Sequence, residues 1–254
     1  MRRWIADRVR QGDTLIACFV SNPQLSTCEI LAVSGFDVLV ADAEHFPLSA
    51  ADVQTIIAGA DLAGLPALVR LSDDSATSIQ YALDAGAAGV IVPRVHTAAQ
   101  TAAVVGAASY PPKGFRGAGP GRASLYGLDR AAGMQDALAH TLVAVQIESA
   151  QAVENLDAML AVKNLDMVFV GPNDLAHSLG NPPEDELRRI IDDVLARAHA
   201  AGVRTGILAP TPELVERYRR AGVSLMITGS DVAMLAAGAR SVIEDIRAHQ
   251  SIDR

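Results

Sequence analysis

Eight short apolar runs, separated in most cases by alanine-rich stretches, restrict the fold of this 254-residue chain more than any other feature. Each run is continuous rather than alternating, which is typical of parallel strands that are covered on both faces. The eight predicted strands span residues 14–20, 37–41, 67–71, 89–92, 142–147, 167–170, 205–208 and 225–228. Eight such strands alternating with helices predict an α/β fold, the (β/α)8 TIM barrel.

The stretches between the runs carry helix signals. Helices are predicted over residues 50–63, 74–85, 151–160, 184–201, 211–221 and 231–250. Ser49 is placed to cap the first of them, and Gly64 and Gly86 stand where a left-handed residue closes a helix. A doubly wound sheet is the rival fold, but no glycine-rich dinucleotide fingerprint follows the first strand. We therefore expect a single barrel domain over residues 1–254.

One segment, from residue 93 to 140, departs from the regular spacing and contains a stretch rich in proline and glycine at 110–122. We predict a long loop here, and loops of this length are usually functional. Arg116 and Arg122 lie in the loop and are candidates for binding an anion. A solvated loop with turn glycines is an equally good interpretation of the same residues.

The composition argues against several classes of function. The formal net charge of -8 disfavours nucleic acid as the main partner, because phosphate binding needs a basic surface. No apolar run is long enough to cross a membrane, and the basic start of the chain is not followed by a signal core. Cys18 and Cys28 are too few for a disulfide framework, so we expect reduced core thiols in a cytoplasmic protein.

Polar residues follow several of the predicted strands where a barrel would gather them into one site. Glu148 follows the fifth strand and Asp174 follows the sixth. Two carboxylates that converge from neighbouring strand ends suit a hard divalent cation, which prefers oxygen ligands and keeps positions open for substrate. Either acid by itself could instead cap the helix that follows it. Together they predict a metal-assisted enzyme.

Two further candidates follow the second and third strands. His45 is the candidate acid/base, with Asp42, three residues earlier, as the carboxylate that would orient it. A loop histidine bonded to backbone is the alternative interpretation. Arg70 ends an apolar strand and could bind a carboxylate through two parallel hydrogen bonds, or form a structural ion pair at the barrel rim.

Taken in order, these motifs resemble the HpcH/HpaI family of class II, metal-dependent pyruvate aldolases. The resemblance runs from about residue 15 to about residue 240 and rests on five segments: 42–45 (Asp-Ala-Glu-His), 69–70 (Val-Arg), 110–117, 146–148 (Gln-Ile-Glu) and 171–175 (Gly-Pro-Asn-Asp-Leu). It implies a (β/α)8 barrel with a Mg²⁺, Mn²⁺ or Co²⁺ site. It also implies a hexamer, a trimer of dimers, in which the helix at 231–250 is exchanged between subunits.

The resemblance also implies a role for each matching residue. Glu148 and Asp174 match the metal ligands, and Arg70 matches the residue that binds the 2-oxo acid and steadies its enolate. His45 matches the acid/base and Asp42 its partner. The remaining matches line the substrate, and they are Gln146, Gly171, Pro172 and Asn173.

The implied reaction is the reversible addition of the enolate of pyruvate or hydroxypyruvate to an aldehyde, which gives a 4-hydroxy-2-oxo acid. A Schiff-base aldolase would need a lysine at a strand end, and neither Lys113 nor Lys163 is so placed. Ala43 stands where the family often has glycine, and this departure leaves the aldehyde open. An acyl-CoA thioester lyase on the same barrel and a non-catalytic 2-oxo-acid-binding barrel remain as alternatives.

Overall fold

A computed structural model describes residues 5–252 of the chain, in which eight parallel strands form a closed barrel. Each strand is hydrogen-bonded to the next in sequence, and the eighth pairs with the first. The strands are β1 (Leu15–Val20), β2 (Val38–Asp42), β3 (Ala67–Arg70), β4 (Gly89–Val92), β5 (Leu142–Ile147), β6 (Met167–Val170), β7 (Arg204–Leu208) and β8 (Leu225–Ser230). Every predicted run corresponds to one of these strands, so the barrel prediction is confirmed.

Helices alternate with the strands around the outside of the barrel. They are α1 (Ile5–Gln11), α2 (Leu25–Val33), α3 (Ala50–Ala63), α4 (Ala76–Asp84), α5 (Ala98–Ala108), α6 (Arg130–His140), α7 (Ala150–Glu154), α8 (Leu156–Leu160), α9 (Pro172–Ser178), α10 (Glu184–Ala200), α11 (Pro212–Arg220) and α12 (Asp231–Ile252). Ser49 begins α3 with a capping box, in which its side chain accepts from the Asp52 amide and Asp52 accepts from the Ser49 amide. Gly64 closes the same helix at φ 87°. Both predicted helix signals at the ends of α3 are confirmed.

The segment at 93–140 holds two helices that the sequence did not predict, on either side of the predicted loop at 110–122. It contains α5, α6 and a short 3₁₀ helix (Arg122–Gly127). Thr97 caps α5 through the Gln100 amide, and Asp129 caps α6 through the Ala132 amide. The irregular part is therefore confined to residues 109–121, between α5 and the 3₁₀ helix.

A second correction concerns the helix predicted at 151–160. Asn155 leaves helical geometry, with φ -90° and ψ 4°, and divides this stretch into α7 and α8. Its side-chain amide donates to the His96 carbonyl at 2.9 Å. This contact with the turn after β4 replaces a continuous helix with a bend.

Two apolar clusters hold the barrel together, one inside it and one between strands and helices. Side chains of α1, including Ile5 and Val9, belong to the interior cluster and close its amino-terminal end. Cys18 and Cys28 are buried free thiols, as expected. Within residues 5–252, no helix combines the length and the apolar composition needed to cross a bilayer. Polar residues such as Asp42, Arg70 and Glu148 lie at the opposite end, where the strands end.

Candidate active site

The ends of β2 and β3 bring Asp42 and Arg70 together. These residues are direct partners in the β2–β3 register, so their side chains leave the sheet side by side. Arg70 Nε donates to Asp42 Oδ1 at 2.9 Å, and its Nη2 donates to Oδ2 at 2.7 Å. Both residues are buried, and the Phe19 ring lies 3.9 Å from the guanidinium carbon. The arginine is therefore held rigidly in one orientation.

Glu44 is a site residue to which the sequence argument assigned no role. Its Oε2 lies 3.4 Å from Arg70 Nη1 and accepts a hydrogen bond from Gln146 Nε2 at 3.1 Å. The turn after β2 aims it inward, because Asp42 Oδ1 accepts from the Glu44 amide at 3.2 Å. The only available signal was its place inside the Asp-Ala-Glu-His segment.

His45 lies at the edge of this group, and its carboxylate partner differs from the prediction. Asp42 contacts His45 only through the backbone amide, at 3.4 Å, because both of its carboxylate oxygens are bonded to Arg70. The His45 Nε2 atom instead lies 4.0 Å from Glu44 Oε2. The ring is about half exposed, with 53% of the side-chain surface accessible, so it can meet a substrate. The interpretation of Asp42 as the partner of the ring is wrong for this geometry.

Glu148 is buried just beyond β5. Its Oε1 accepts from the Arg94 amide at 2.7 Å, and its Oε2 accepts from Gln146 Nε2. Burial raises the pKa of Glu148, and the nearby charges of Glu44 and Asp174 raise it further, against the lowering effect of the Arg94 hydrogen bond. The charge of Arg70 also lowers this pKa, but burial prevails.

The backbone at Arg94 is strained where it meets Glu148. Arg94 has φ 59°, in the left-handed region that costs a residue with a side chain about 1 kcal/mol. This conformation aims its N–H at the Glu148 carboxylate. Nothing in the sequence marked Arg94, because its contact is with a residue 54 positions away.

Asp174 reaches the same region from the turn after β6. Gly171 follows that strand, Pro172 and Asn173 open α9, and Asp174 lies in the first turn of the helix. A β-carbon at position 171 would lie 3.6 Å from Glu148 Oε2 and 4.0 Å from Asp174 Oδ2. Glycine therefore leaves open the space between the two carboxylates.

These residues fit a divalent cation by the chemistry of their donors. Glu148 and Asp174 offer oxygen atoms only, and their mutual repulsion is the kind that a hard cation relieves. Gln146 Oε1, beside them, is a buried acceptor with no partner in the described chain. No group of three or more His, Cys, Asp or Glu residues able to hold a metal occurs within residues 5–252. Two carboxylates from the protein would leave the remaining positions of a cation to water and substrate.

The two arginines of the loop at 109–121 and the 3₁₀ helix, which the sequence offered as candidates for binding an anion, are each paired with an acid. Arg116 pairs with Asp84 at 2.7 Å and lies over the Tyr110 ring, 4.6 Å from its centroid. Arg122 pairs with Asp61 at 2.6 Å. Each guanidinium is neutralised by an acid on a neighbouring helix. Their role in the described chain is to tie this segment to α3 and α4.

Comparison with known proteins places this geometry in a family. The family model for HpcH/HpaI aldolase/citrate lyase matches residues 15–237. The 2-dehydro-3,6-dideoxy-6-sulfogluconate aldolase of Pseudomonas putida is 35% identical over 242 residues, covering 93% of this chain and 94% of that protein. The hydroxypyruvate/pyruvate aldolase of Rhizorhabdus wittichii is 36% identical, covering 94% of this chain and 96% of that protein.

A solved structure agrees with the sequence comparisons. The crystal structure of an HpcH/HpaI aldolase/citrate lyase family protein from Burkholderia cenocepacia superposes with a TM-score of 0.90 at 33% identity. The match covers 97% of this chain and 100% of that chain. The resemblance seen in the sequence and the carbon–carbon lyase activity that it implies are thereby confirmed. The chain belongs to the HpcH/HpaI aldolase/citrate lyase family.

Proposed function

We propose that this aldolase adds the enolate of pyruvate or hydroxypyruvate to an aldehyde, reversibly, at a Mg²⁺, Mn²⁺ or Co²⁺ ion bound by Glu148 and Asp174. The observation that carries the proposal is the pair of carboxylates on either side of Gly171, with Arg70 in the same cluster. A divalent cation bound there acts as a Lewis acid toward the oxygens of the 2-oxo acid.

Arg70 supports the substrate from the protein side. Its Nε and Nη2 are occupied by Asp42, whereas Nη1 faces Glu44 at the longer distance of 3.4 Å. Nη1 is therefore the nitrogen that can turn its donors toward an enolate oxygen. Because Asp42 already fixes the guanidinium, little reorganisation is needed as negative charge develops on that oxygen.

His45 is the group of this chain that would move a proton. In the direction of cleavage it takes the proton of the C4 hydroxyl as the C3–C4 bond breaks, and in the direction of addition it returns that proton. The Glu44 carboxylate lies beside the ring, with its Oε2 atom 4.0 Å from His45 Nε2. Gln146 bridges Glu44 and Glu148, so it holds the two carboxylates in place while lining the site.

The two alternatives are weaker on the same geometry. A lyase for acyl-CoA thioesters needs cations for the phosphates of the cofactor, and both Arg116 and Arg122 are neutralised by acids. A carrier for a 2-oxo acid has no use for a proton-transfer residue, whereas His45 lies exposed beside Glu44. The aldolase reaction, by contrast, gives a role to each of the site residues described above.

The C-terminal helix supports assembly into a hexamer, a trimer of dimers. The residues of α12 from 232 to 249 are exposed, and they include Leu235, Ile243 and Ile246. A cavity of about 470 Å³ lies between the start of α12 and α2, with Ile30 and Phe36 in its wall. We propose that α12 packs on a second copy of the chain, because an exposed apolar face of this kind is unfavourable in water.

The remaining assignments have narrower support. The closed order of strands, from β1 to β8, supports one barrel domain over residues 1–254. The two reduced thiols, Cys18 and Cys28, support a cytoplasmic location.

Light scattering on the purified chain tests the proposed assembly through α12. Leu235→Asp, a variant of that helix, should reduce the mass of the assembly.

Deuterium exchange at C3 of pyruvate and of hydroxypyruvate, followed by NMR, tests the reaction itself. Exchange that is absent in chelator and appears with Mg²⁺, Mn²⁺ or Co²⁺ is the expected result, since it reports enolate formation without any aldehyde. Glu148→Gln is the matched variant and should lose the response to metal. Folded, metal-supplied protein that exchanges neither acid would refute the proposal.

A further inference from the structure

We propose that the Arg94 side chain recognises an oxyanion at the far end of the acceptor aldehyde, a carboxylate or a sulfonate. This inference rests on the proposed function and specifies its acceptor. Arg94 lies directly beyond β4 at the carboxyl end of the barrel, and its backbone N–H is 2.7 Å from Glu148 Oε1. The residue is thus joined through its backbone to one of the two proposed metal ligands, and it is exposed.

The guanidinium of Arg94 has no structural task in the described chain. Arg94 is exposed, and within residues 5–252 its side chain forms no ion pair or hydrogen bond. The polar contacts of Arg94 are those of its backbone, in which the N–H donates to Glu148 and the carbonyl accepts from Gln100 at 3.4 Å. By contrast, Arg116 and Arg122 are each paired with an acid.

The backbone conformation strengthens the argument for the side chain. At φ 59°, glycine or asparagine would hold the same turn, and the same N–H, at lower conformational cost than arginine. The contact with Glu148 therefore does not explain why this residue is an arginine. A function that needs a positive charge at the end of a long side chain would explain it.

The charge of the site explains why an anionic acceptor would need such a residue. Asp42, Glu44, Glu148 and Asp174 place four carboxylates around the single guanidinium of Arg70. A divalent cation and a 2-oxo acid together still leave the site negative. An aldehyde with its own negative group would be repelled unless a cation faced it. Arg94 supplies that cation, and its planar fork suits either oxyanion.

The test compares charged and neutral aldehydes of similar size. The carboxylate pair is 4-oxobutanoate and its methyl ester, and the sulfonate pair is 2-sulfoacetaldehyde and propanal. The variants are Arg94→Asn, which suits the left-handed backbone, and Arg94→Lys, which keeps the charge without the fork. Arg220→Asn, an exposed arginine on α11, is the control for a general loss of positive charge.

We expect Arg94→Asn to lower the ratio of kcat/KM for the charged over the neutral aldehyde by roughly tenfold or more, mainly through KM. Arg94→Lys should fall between this variant and the wild type, and Arg220→Asn should match the wild type. A fall in the carboxylate pair alone, or in the sulfonate pair alone, identifies which oxyanion is bound.

An unchanged ratio for both pairs in Arg94→Asn would overturn the inference. Should that variant fold poorly, Arg94→Gly provides the same comparison at the same φ. Pyruvate deuterium exchange by the wild type is measured in parallel. Its absence would count against the aldolase reaction itself, whereas exchange with no effect of Arg94 on the ratio counts only against the role of Arg94.

Discussion

The Arg70 guanidinium meets the Asp42 carboxylate through two parallel hydrogen bonds, of 2.9 Å and 2.7 Å, at adjacent positions of β2 and β3. This ion pair determines which contacts remain for the neighbouring site residues. It withdraws Asp42 from His45 and leaves Arg70 Nη1 as the nitrogen directed at Glu44 and the substrate space. Asp42, three residues before the histidine in sequence, is thus the partner of the arginine 28 positions away.

Replacement of Arg70 should affect both activity and stability. Arg70→Ala leaves the buried Asp42 carboxylate without its partner, which costs about 3–5 kcal/mol in the free energy of unfolding. Arg70→Lys cannot reproduce the fork and should lose roughly a hundredfold in kcat/KM, as expected for a lost donor to a developing oxyanion. Urea unfolding and pyruvate exchange measure the two effects, and near-wild-type exchange in Arg70→Lys would contradict the role of the guanidinium.

Glu148→Gln should separate metal binding from stability. Burial and the charges of Glu44 and Asp174 raise the pKa of Glu148, so the ionised side chain is unfavourable in the protein without metal. The neutral variant should therefore melt at a higher temperature than the wild type in chelator, and should gain less from added Mn²⁺. Thermal melts of the wild type and the variant, in chelator and in Mn²⁺, measure both differences in melting temperature. Equal gains from Mn²⁺ in the two proteins would argue against Glu148 as a ligand.

His45 and Glu44 should act together in proton transfer. His45→Gln keeps the size of the side chain but cannot carry a proton, so kcat for cleavage should fall by about 10²–10⁴-fold with a smaller change in KM. Glu44→Gln removes the charge 4.0 Å from the ring and should give a smaller loss. If the two losses simply add in the double variant, as measured by steady-state kinetics, the residues do not work as a pair.

The two cysteines should be unreactive in the native protein and destabilising at alkaline pH. Burial raises the pKa of Cys18 to about 12 and that of Cys28 to about 11, from an ordinary value of 9.0. Folding therefore favours the neutral thiols, and this contribution to stability is present below pH 9 and is lost as the pH rises toward 11 and 12. Iodoacetamide at pH 8 should leave the native chain unmodified and label two thiols after unfolding. Rapid labelling of native protein would contradict the burial of both residues.

The strands were predictable because their signal is local. Runs such as 142–147 and 167–170 are apolar throughout, and burial on both faces of a parallel strand demands nothing more specific. The turns after the strands were predictable for the same reason, so Arg70, Glu148 and Asp174 could be assigned to one end of the barrel. The helices α5 and α6, capped by Thr97 and Asp129, were missed; they lie on either side of the stretch rich in proline and glycine at 110–122.

The sequence by itself determined that eight strands alternate with helices and that carboxylates and an arginine follow particular strands. Hydrophobic periodicity and residue chemistry are properties of the chain, so they can be read without coordinates. Only the tertiary structure decided which of these groups touch. The β2–β3 register joined Asp42 to Arg70 and left Glu44 beside His45, and the left-handed turn at Arg94 brought its N–H to Glu148. Such contacts depend on the relative positions of distant segments, which local sequence does not specify.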